Sequence, residues 1–552
     1  MNQQSPVQTL CDTASTPWWR GAAIYQIYPR SFADSNGDGI GDLAGITERL
    51  DYVAALGVDA IWISPFFTSP MKDFGYDVSD YCGVDPIFGS LADFEALVAR
   101  AHALGLKVIV DQVYAHTSDQ HAWFTASRAD RTNPRADWYV WSDPKADGTP
   151  PNNWQSVFGG PAWTWDARRG QYYLHSFLKE QPQLNVHLPQ VQEALLAAAR
   201  FWLERGVDGF RLDALNHAMA DPLLRDNPPA PADGKPRTRS FDFQLKLHSQ
   251  SQPGVVGFVE KVRAVCDRFR KPDGEVFTVA EVGGAQADAE MKAYTAGDAR
   301  LNSAYGFEFL YAPALTPKLV ADAMGLWSGE ADNEGLQQGW PCWAFENHDA
   351  PRAVSRWTTP DRAAEFAAMK ILLLVSLRGN VILYQGEELG LEQDHIPFEM
   401  LQDPEAITNW PLTLSRDGVR TPLPWQTQAE HGGFTCGTPW LPLGAANLAR
   451  AVDRQVADPQ SLLSLTRNAL ALRRICPALR EGSFELLRAD DAVLAFRRQT
   501  KGQSLVCAFN LSAHAVDWPS DLPAGGTSIT AANGGEPGCL PAYAAVIFEE
   551  TK

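Results

Sequence analysis

The chain is poor in cysteine, and its cysteines show no pairing pattern. Eight of them among 552 residues run from Cys11 to Cys539 without a Cys-x-x-Cys pair, so neither a zinc site nor a disulfide framework is indicated. Positive charge is scarce as well: 47 Lys and Arg stand against 66 Asp and Glu, a formal net charge of −19. Such a surface repels phosphate backbones and anionic lipid, which argues against nucleic acid and membrane as partners. Long hydrophobic runs are missing, and the longest, residues 371–375, is far too short to span a bilayer. The opening residues Met1 to Pro6 lack a basic stretch followed by an apolar one, so a secretory signal is not expected and a reduced, cytoplasmic location fits. Internal repeats and low-complexity stretches are also lacking. What remains is ordinary globular composition, 45% hydrophobic and 20% charged. Aromatic residues are plentiful, with 18 Trp, 14 Tyr and 26 Phe. They serve large cores, and flat rings also suit the flat faces of sugars.

Length alone allows about three to four domains. The pattern along the chain is more specific. Strands are expected over residues 24–28, 60–63, 107–111, 209–212, 277–280, 304–307, 343–345 and 381–384. Amphipathic helical stretches lie between or after them at 43–56, 91–104, 191–204, 258–270, 363–377 and 462–474. Ser90 followed by Asp93 reads as a variant capping box opening the second of these. Continuous apolar strands alternating with helices indicate a parallel sheet, and eight such units predict an α/β fold of the (β/α)8 TIM barrel type. Residues 113–186, rich in Asp, Trp, Pro and Gly, interrupt the pattern after the third strand as an inserted subdomain. The barrel thus divides into 1–112 and 187–478, with a Pro- and Gly-rich excursion at 391–455 after the eighth strand. From 479 to 552 short alternating runs predict a C-terminal antiparallel β-sandwich.

Barrel enzymes carry their chemistry at the C-terminal ends of the strands. Those ends supply Asp111, with His116 just beyond, then Arg211 and Asp213, Glu281, and finally His348 and Asp349. Any one of these acids reads as a salt-bridged surface group. Together they end apolar runs, where a charge is costly unless it has a partner or a task. Several carboxylates in one bowl, without a dense His/Cys set, suit glycosidic bond cleavage, in which one acid attacks the anomeric carbon and another protonates the leaving oxygen.

The segments Gly209-Phe210-Arg211-Leu212-Asp213, Ala280-Glu281-Val282 and Phe345-Glu346-Asn347-His348-Asp349 closely resemble signature strands of the α-amylase superfamily, glycoside hydrolase family 13. So do Gly75-Tyr76-Asp77-Val78-Ser79-Asp80-Tyr81 and Tyr384-Gln385-Gly386-Glu387-Glu388. The opening around Trp18-Trp19-Arg20 and Ile24-Tyr25-Gln26-Ile27-Tyr28-Pro29-Arg30-Ser31-Phe32 is similar to the α-glucosidase and oligo-1,6-glucosidase branch. The resemblance covers essentially the whole chain. It implies Asp213 as a nucleophile forming a covalent glucosyl enzyme, Glu281 as general acid/base, and Asp349 as a third acid gripping sugar hydroxyls. It implies that Arg211 keeps Asp213 ionised, that His116 and His348 hydrogen-bond the innermost glucose, and that Tyr76 stacks on it. Asp77 is expected to bind the non-reducing-end hydroxyls and to pair with Arg416, closing the pocket behind one glucose; Arg420 lies near enough to compete for that role.

The segment Asp34-Ser35-Asn36-Gly37-Asp38-Gly39-Ile40-Gly41-Asp42 places side-chain oxygens at positions 1, 3, 5 and 9 and a backbone carbonyl, Ile40, at position 7, as in an EF-hand loop. Gly45 stands where the bidentate Glu of that loop belongs. The spacing alone also describes an acidic surface turn. The family resemblance implies a structural Ca²⁺ or Mg²⁺ held by Asp34, Asn36, Asp38, Ile40 and Asp42, and no organic cofactor. Ala115 stands before His116 where α-amylases carry an asparagine that binds a different calcium, so that other site is expected to be missing. Gln183 replaces an aspartate usual in oligo-1,6-glucosidases, and Ala214 follows the nucleophile where relatives preferring α-1,6 bonds tend to carry valine.

The expected activity is a retaining, exo-acting α-glucosidase that acts on short α-1,4-linked, maltose-type substrates and aryl α-glucosides and also transfers glucose to acceptor hydroxyls. Sucrose hydrolysis or isomerisation and trehalose formation are alternatives on the same scaffold. A catalytically dead binding relative is remote, because Asp213, Glu281 and Asp349 are all retained. Partners are then small α-glucosides with water or alcohols as acceptors, and the chain is expected to be a monomer or homodimer.

Overall fold

A computed structural model describes residues 16–550 apart from 233, 235–236, 272–273 and 328–338. The opening segment Met1 to Pro6 and Cys11 lie outside the described residues. Eight parallel strands close a barrel: β1 (Ala23–Ile27), β2 (Ala60–Ile63), β3 (Lys107–Val113), β4 (Gly209–Asp213), β5 (Phe277–Glu281), β6 (Ser303–Tyr305), β7 (Trp340–Ala344) and β8 (Asn380–Tyr384). Each pairs in parallel with its neighbour in sequence, and β1 pairs with β8 to close the ring. Among the described residues, the helices around it are α1 (Leu43–Leu56), α2 (Leu91–Ala103), α3 (Pro189–Leu203), α4 (Gly254–Asp267), α5 (Ala287–Thr295), α6 (Pro317–Leu326), α7 (Ala363–Ser376) and α8 (Leu462–Ile475). The capping box of α2 is present, with Ser90 and Asp93 each accepting the other's backbone N–H.

The two-residue period of a strand decides what enters the site. Ile24, Ile109, Phe277, Val279, Trp340, Cys342 and Ala344 form one apolar cluster with Trp62. Their sequence neighbours Tyr25, Val108, Val110 and Ala280, and on β4 Phe210 and Leu212 on either side of Arg211, belong to the larger cluster shared with the helices. The inward phase carried one step further along β3, β4 and β5 reaches Asp111, Asp213 and Glu281. The apolar plug below these acids keeps water from one side of them, and the barrel mouth opens on the other.

Residues between β3 and α3 include a helix, Ala122–Ala129, and a three-stranded antiparallel sheet of Trp141–Ser142, Gln171–Leu174 and Trp163–Asp166. The long segment after β8 carries only short helical turns before α8. Beyond the barrel, β9 (Ser483–Ala489), β10 (Val493–Gln499), β11 (Ser504–Asn510), β12 (Gly526–Ala532) and β13 (Ala545–Glu550) form an antiparallel sheet in the order 9-10-11-13-12. Alternation serves both of its faces. Leu494, Phe496, Leu505, Cys507 and Ile547 join the barrel's main core, and Val493, Ala495, Val506, Ala508 and Val546 pack under Val516, Trp518 and Leu522. No helix among the described residues is long and apolar enough to cross a membrane.

Candidate active site

Arg211 is the hub of the barrel mouth. It is wholly buried, and its Nη1 donates to Asp213 Oδ1 at 2.6 Å and to Asp111 Oδ1 at 2.9 Å. Its Nη2 lies 2.6 Å from Glu281 Oε1, and its Nε donates to the Tyr305 hydroxyl at 3.1 Å. Tyr305 in turn donates to Glu281 Oε1 at 3.0 Å. Three carboxylates from three adjacent strands therefore converge on one guanidinium. Burial pushes the Asp213 carboxyl up, the charges of Glu281 and Asp111 add to that, and Arg211 opposes it. Asp111 is sealed at 0% exposure, whereas the Asp213 side chain keeps 11% and opens to the mouth.

Asp213 is followed by a sharp reversal. Ala214 adopts φ 37° and ψ 45°, the left-handed region, and its N–H donates to Glu281 Oε2 at 3.3 Å. A Cβ in that region costs energy, so the conformation is held by its surroundings. The turn leaves Glu281 against the residue next to Asp213.

Beyond β7, Asp349 meets Arg420 at 2.6 Å and Arg416 at 3.2 Å through Oδ1, and His348 Nε2 lies 3.3 Å from its Oδ2. Burial would raise the Asp349 carboxyl, but His348, Arg420 and Arg416 outweigh it and hold it well below the usual carboxylate range. Burial lowers His348 to about 3, so the ring is neutral and the two arginines carry the lasting positive charge. The Gln26 amide nitrogen sits 2.8 Å from His348 Nδ1, leaving the proton on Nε2 beside the Tyr76 hydroxyl at 2.7 Å. Tyr76 stacks on His348, centroids 5.4 Å apart, and donates to Asp111 at 3.1 Å. His116 is neutral as well, lowered by burial to about 4, with Nε2 3.1 Å from Tyr76 O.

One expected pairing is corrected. Asp77 does not meet Arg416; its Oδ1 accepts from Ser69 Oγ and Asp73 N, and its Oδ2 from Lys72 N, each at 2.9 Å. It ties the loop after β2 together. Arg416 pairs instead with Asp73 at 3.2 Å and with Asp403 at 2.7 Å. The reason is backbone geometry: Phe74 and Gly75 take φ 51° and 108°, reversing the chain so that Asp73 and Tyr76 face the pocket together. Reading from sequence missed Asp73, although its position three residues before Tyr76 across a glycine was a usable signal. It also missed Tyr305, which ends the inward phase of β6, and Asp403, which sits in a loop without a pattern. Gln183 links the inserted domain to the turn after β4, donating to His217 O at 2.6 Å and accepting from Ser176 Oγ at 2.9 Å.

The second expected site lies in the loop between β1 and α1. Asp34 Oδ1 accepts from Asn36 N and Gly37 N at 3.0 and 2.7 Å, and Oδ2 from Gly39 N at 2.8 Å. Asn36 Oδ1 accepts from Asp38 N, and Asp38 Oδ1 from Ile40 N. Asp42 takes the Ser35 N–H and hydroxyl and caps α1 through Gly45 N at 2.6 Å. Among the described residues no three His, Cys, Asp or Glu side chains form a ready metal cluster. A cation here would also draw on the Asn36 amide and the Ile40 carbonyl. An all-oxygen donor set wound into one tight turn fits a hard divalent ion.

Comparison with known proteins shows the family. A family model, "Alpha amylase, catalytic domain", matches residues 26–482. A probable alpha-glucosidase of Rhizobium meliloti (strain 1021) is 51% identical over 509 residues, covering 90% of each chain. An oligo-1,6-glucosidase of Heyndrickxia coagulans is 36% identical over 540 residues, covering 92% of this chain and 94% of its own. Among solved structures, the alpha-glucosyl transfer enzyme XgtA matches with a TM-score of 0.90 at 50% identity, covering 97% of this chain and all 100% of its own. The trehalulose synthase MutB matches at 0.85 and 31%, with the same coverage. The chain belongs to the α-amylase catalytic-domain family and is a glycoside hydrolase.

Proposed function

We propose that the protein is a retaining, exo-acting α-glucosidase that takes terminal α-1,4-linked glucose from maltose-type substrates and aryl α-glucosides and passes it to water or to acceptor hydroxyls. The observation that carries this reading is the shared guanidinium: Arg211 touches Asp213 and Glu281 at 2.6 Å each. Two carboxyl groups that share one guanidinium at the barrel mouth suit a nucleophile and an acid acting on the same bond. Asp213 attacks the anomeric carbon while Glu281 gives its proton to the glycosidic oxygen, and the aglycone leaves. Glu281 then takes a proton from water or an alcohol, which displaces Asp213 and restores the original configuration. Arg211 favours the Asp213 anion against its burial, and the Tyr305 hydroxyl orients Glu281. Asp349, His348, His116 and the face of Tyr76 supply polar contacts and a stacking surface for one glucose.

The exo preference is supported by the floor of the pocket, where Arg416 ties Asp73, Asp403 and Asp349 together. A knot of ion pairs there would stop further sugar units behind the first. Ala214 supports the α-1,4 preference, since its small side chain leaves the aglycone side open. Transfer is in keeping with the likeness to an alpha-glucosyl transfer enzyme. Sucrose is the competing substrate, because an isomaltulose synthase from Erwinia rhapontici NX5, described with its natural substrate sucrose, is similar at 30% identity and a TM-score of 0.87. We further propose that the 34–42 loop binds a Ca²⁺ or Mg²⁺ ion that stabilises the fold and takes no part in bond cleavage.

The test is glucose release from equimolar maltose, isomaltose and sucrose, with Asp213→Asn as the blank. Maltose turned over fastest, and lost in the blank, is the expected result. Sucrose as the best substrate overturns the linkage assignment and keeps the mechanism.

A further inference from the structure

Three segments far apart in sequence interlock around the pocket mouth. In the loop after β4, Arg239 donates through Nη1 to Glu405 Oε1 at 2.9 Å. Glu405 lies in the short helix Pro404–Asn409 of the excursion after β8. From that same helix Asn409 Nδ2 donates to Phe158 O of the inserted domain at 3.0 Å. The inserted domain returns to the loop after β4 through Gly160 N, which donates to Ser240 Oγ at 3.2 Å. The three links form a closed ring: loop to helix, helix to inserted domain, inserted domain to loop.

The ring is attached directly to the glucose pocket. Asp403, which holds Arg416 at 2.7 Å, accepts the Glu405 N–H at 3.1 Å. The Arg416 guanidinium stacks over Phe158 with its carbon 4.9 Å from the ring centroid. Tyr311 points its hydroxyl toward Asp349 O at 3.5 Å, and the chain of contacts from Glu405 N through Asp403 and Arg416 to Asp349 places Glu405 at the edge of the same opening. Of the three links, Arg239–Glu405 is the ion pair. Its partners are largely covered, with side-chain exposures of 26% and 11%, and Asp242 braces Arg239 at 3.0 Å.

We propose that the Arg239–Glu405 pair is a specificity latch across the pocket mouth: it leaves room for one small aglycone and bars the continuing chain of a longer glucan. A longer substrate must pass between the Pro404–Asn409 helix and the loop after β4, and the pair spans that gap. The inference rests on the α-glucosidase reading and adds a length limit to it. It also assigns function to two residues that touch neither the scissile bond nor the innermost sugar.

The test compares kcat/KM for maltotetraose with that for maltose in the wild type, Glu405→Gln, Arg239→Gln and the double variant. The wild type is expected to favour maltose strongly. Each single variant is expected to raise the maltotetraose-to-maltose ratio about tenfold, the scale on which one pocket contact discriminates between substrates. The double variant should go no further than either single, as for a pair acting as one unit. A ratio unchanged in folded variants, or a wild type already indifferent to length, overturns the latch. A wild type inactive on maltose and maltotetraose alike overturns the α-glucosidase reading, and the latch with it. Arg239→Gln carries the test if Glu405→Gln fails to fold.

Discussion

Arg416, from the excursion after β8, reaches Asp73, from the loop after β2, at 3.2 Å, and that contact forms the floor of the candidate glucose site. Asp77, four residues on, binds only its own loop. The two aspartates should therefore fail differently. Asp73→Asn is expected to lower kcat/KM on maltose by about 100-fold, mostly through KM, from lost charge-assisted contacts worth about 2–3 kcal/mol. Asp77→Asn should lower the melting temperature while leaving the preference among disaccharides intact. Steady-state kinetics beside thermal melts separate the two.

Asp73 also sets a pH dependence. Burial raises its carboxyl from 3.8 to about 6 against the pull of Arg416 and Arg420. A group with a raised folded pKa contributes stability that is fully present below its unfolded value and is lost as pH rises through the folded one. Between pH 4 and pH 8 Asp73 thus withdraws at most roughly 3 kcal/mol. Wild-type protein should lose more stability over that range than Asp73→Asn, measured by urea denaturation at each pH. Equal losses contradict the assignment.

Ala214 sits at φ 37°, a conformation in which a β-branched side chain is strained. Ala214→Val is expected to cost about 1–2 kcal/mol of stability. Ala214→Gly should be tolerated, since glycine reaches positive φ freely. If valine narrows the aglycone side, turnover of maltose falls relative to isomaltose in the same variant. Melting temperatures and the two rates are the readouts.

The proposed ion in the 34–42 loop has a readout independent of activity. Chelation with EDTA should lower the melting temperature, and added Ca²⁺ or Mg²⁺ should restore it, because a ligand bound only by the folded state stabilises it by mass action. Asp34→Ala should melt at or below the chelated temperature, since it also loses the loop's own hydrogen bonds, and respond to neither ion. The loop also meets the excursion after β8, since Asp34 N donates to Phe434 O and Gly39 O accepts from Trp440 N, each at 3.0 Å.

Much of this architecture is legible in the sequence. The eight strands and their helices follow from apolar runs and helical periodicity, and the inward phase of β3, β4 and β5 places Asp111, Asp213 and Glu281 together. Legibility stops where backbone torsion decides. Asp73 and Asp77 are equivalent as letters, and only the reversal at Phe74 and Gly75 turns one inward. Arg239, Asp403 and Glu405 lie in loops and a single short helical turn without periodicity; the Arg239–Glu405 contact joins segments more than a hundred residues apart, and Asp403 meets Arg416 across an irregular stretch of the same excursion. Strand endings suffered less, since β6 and β7 begin slightly before the expected positions without changing which residues face inward.

The central claim is that Asp213 becomes covalently glucosylated. The direct measurement is intact and peptide mass spectrometry of Glu281→Gln protein after brief exposure to α-glucosyl fluoride. This substrate needs no acid to expel its leaving group, while the variant lacks the base that would speed release of the intermediate. The account predicts a hexosyl adduct on the peptide carrying Asp213, absent when Asp213 is replaced by Asn. A rapidly turning-over enzyme with inverted product and no adduct on that peptide would contradict it.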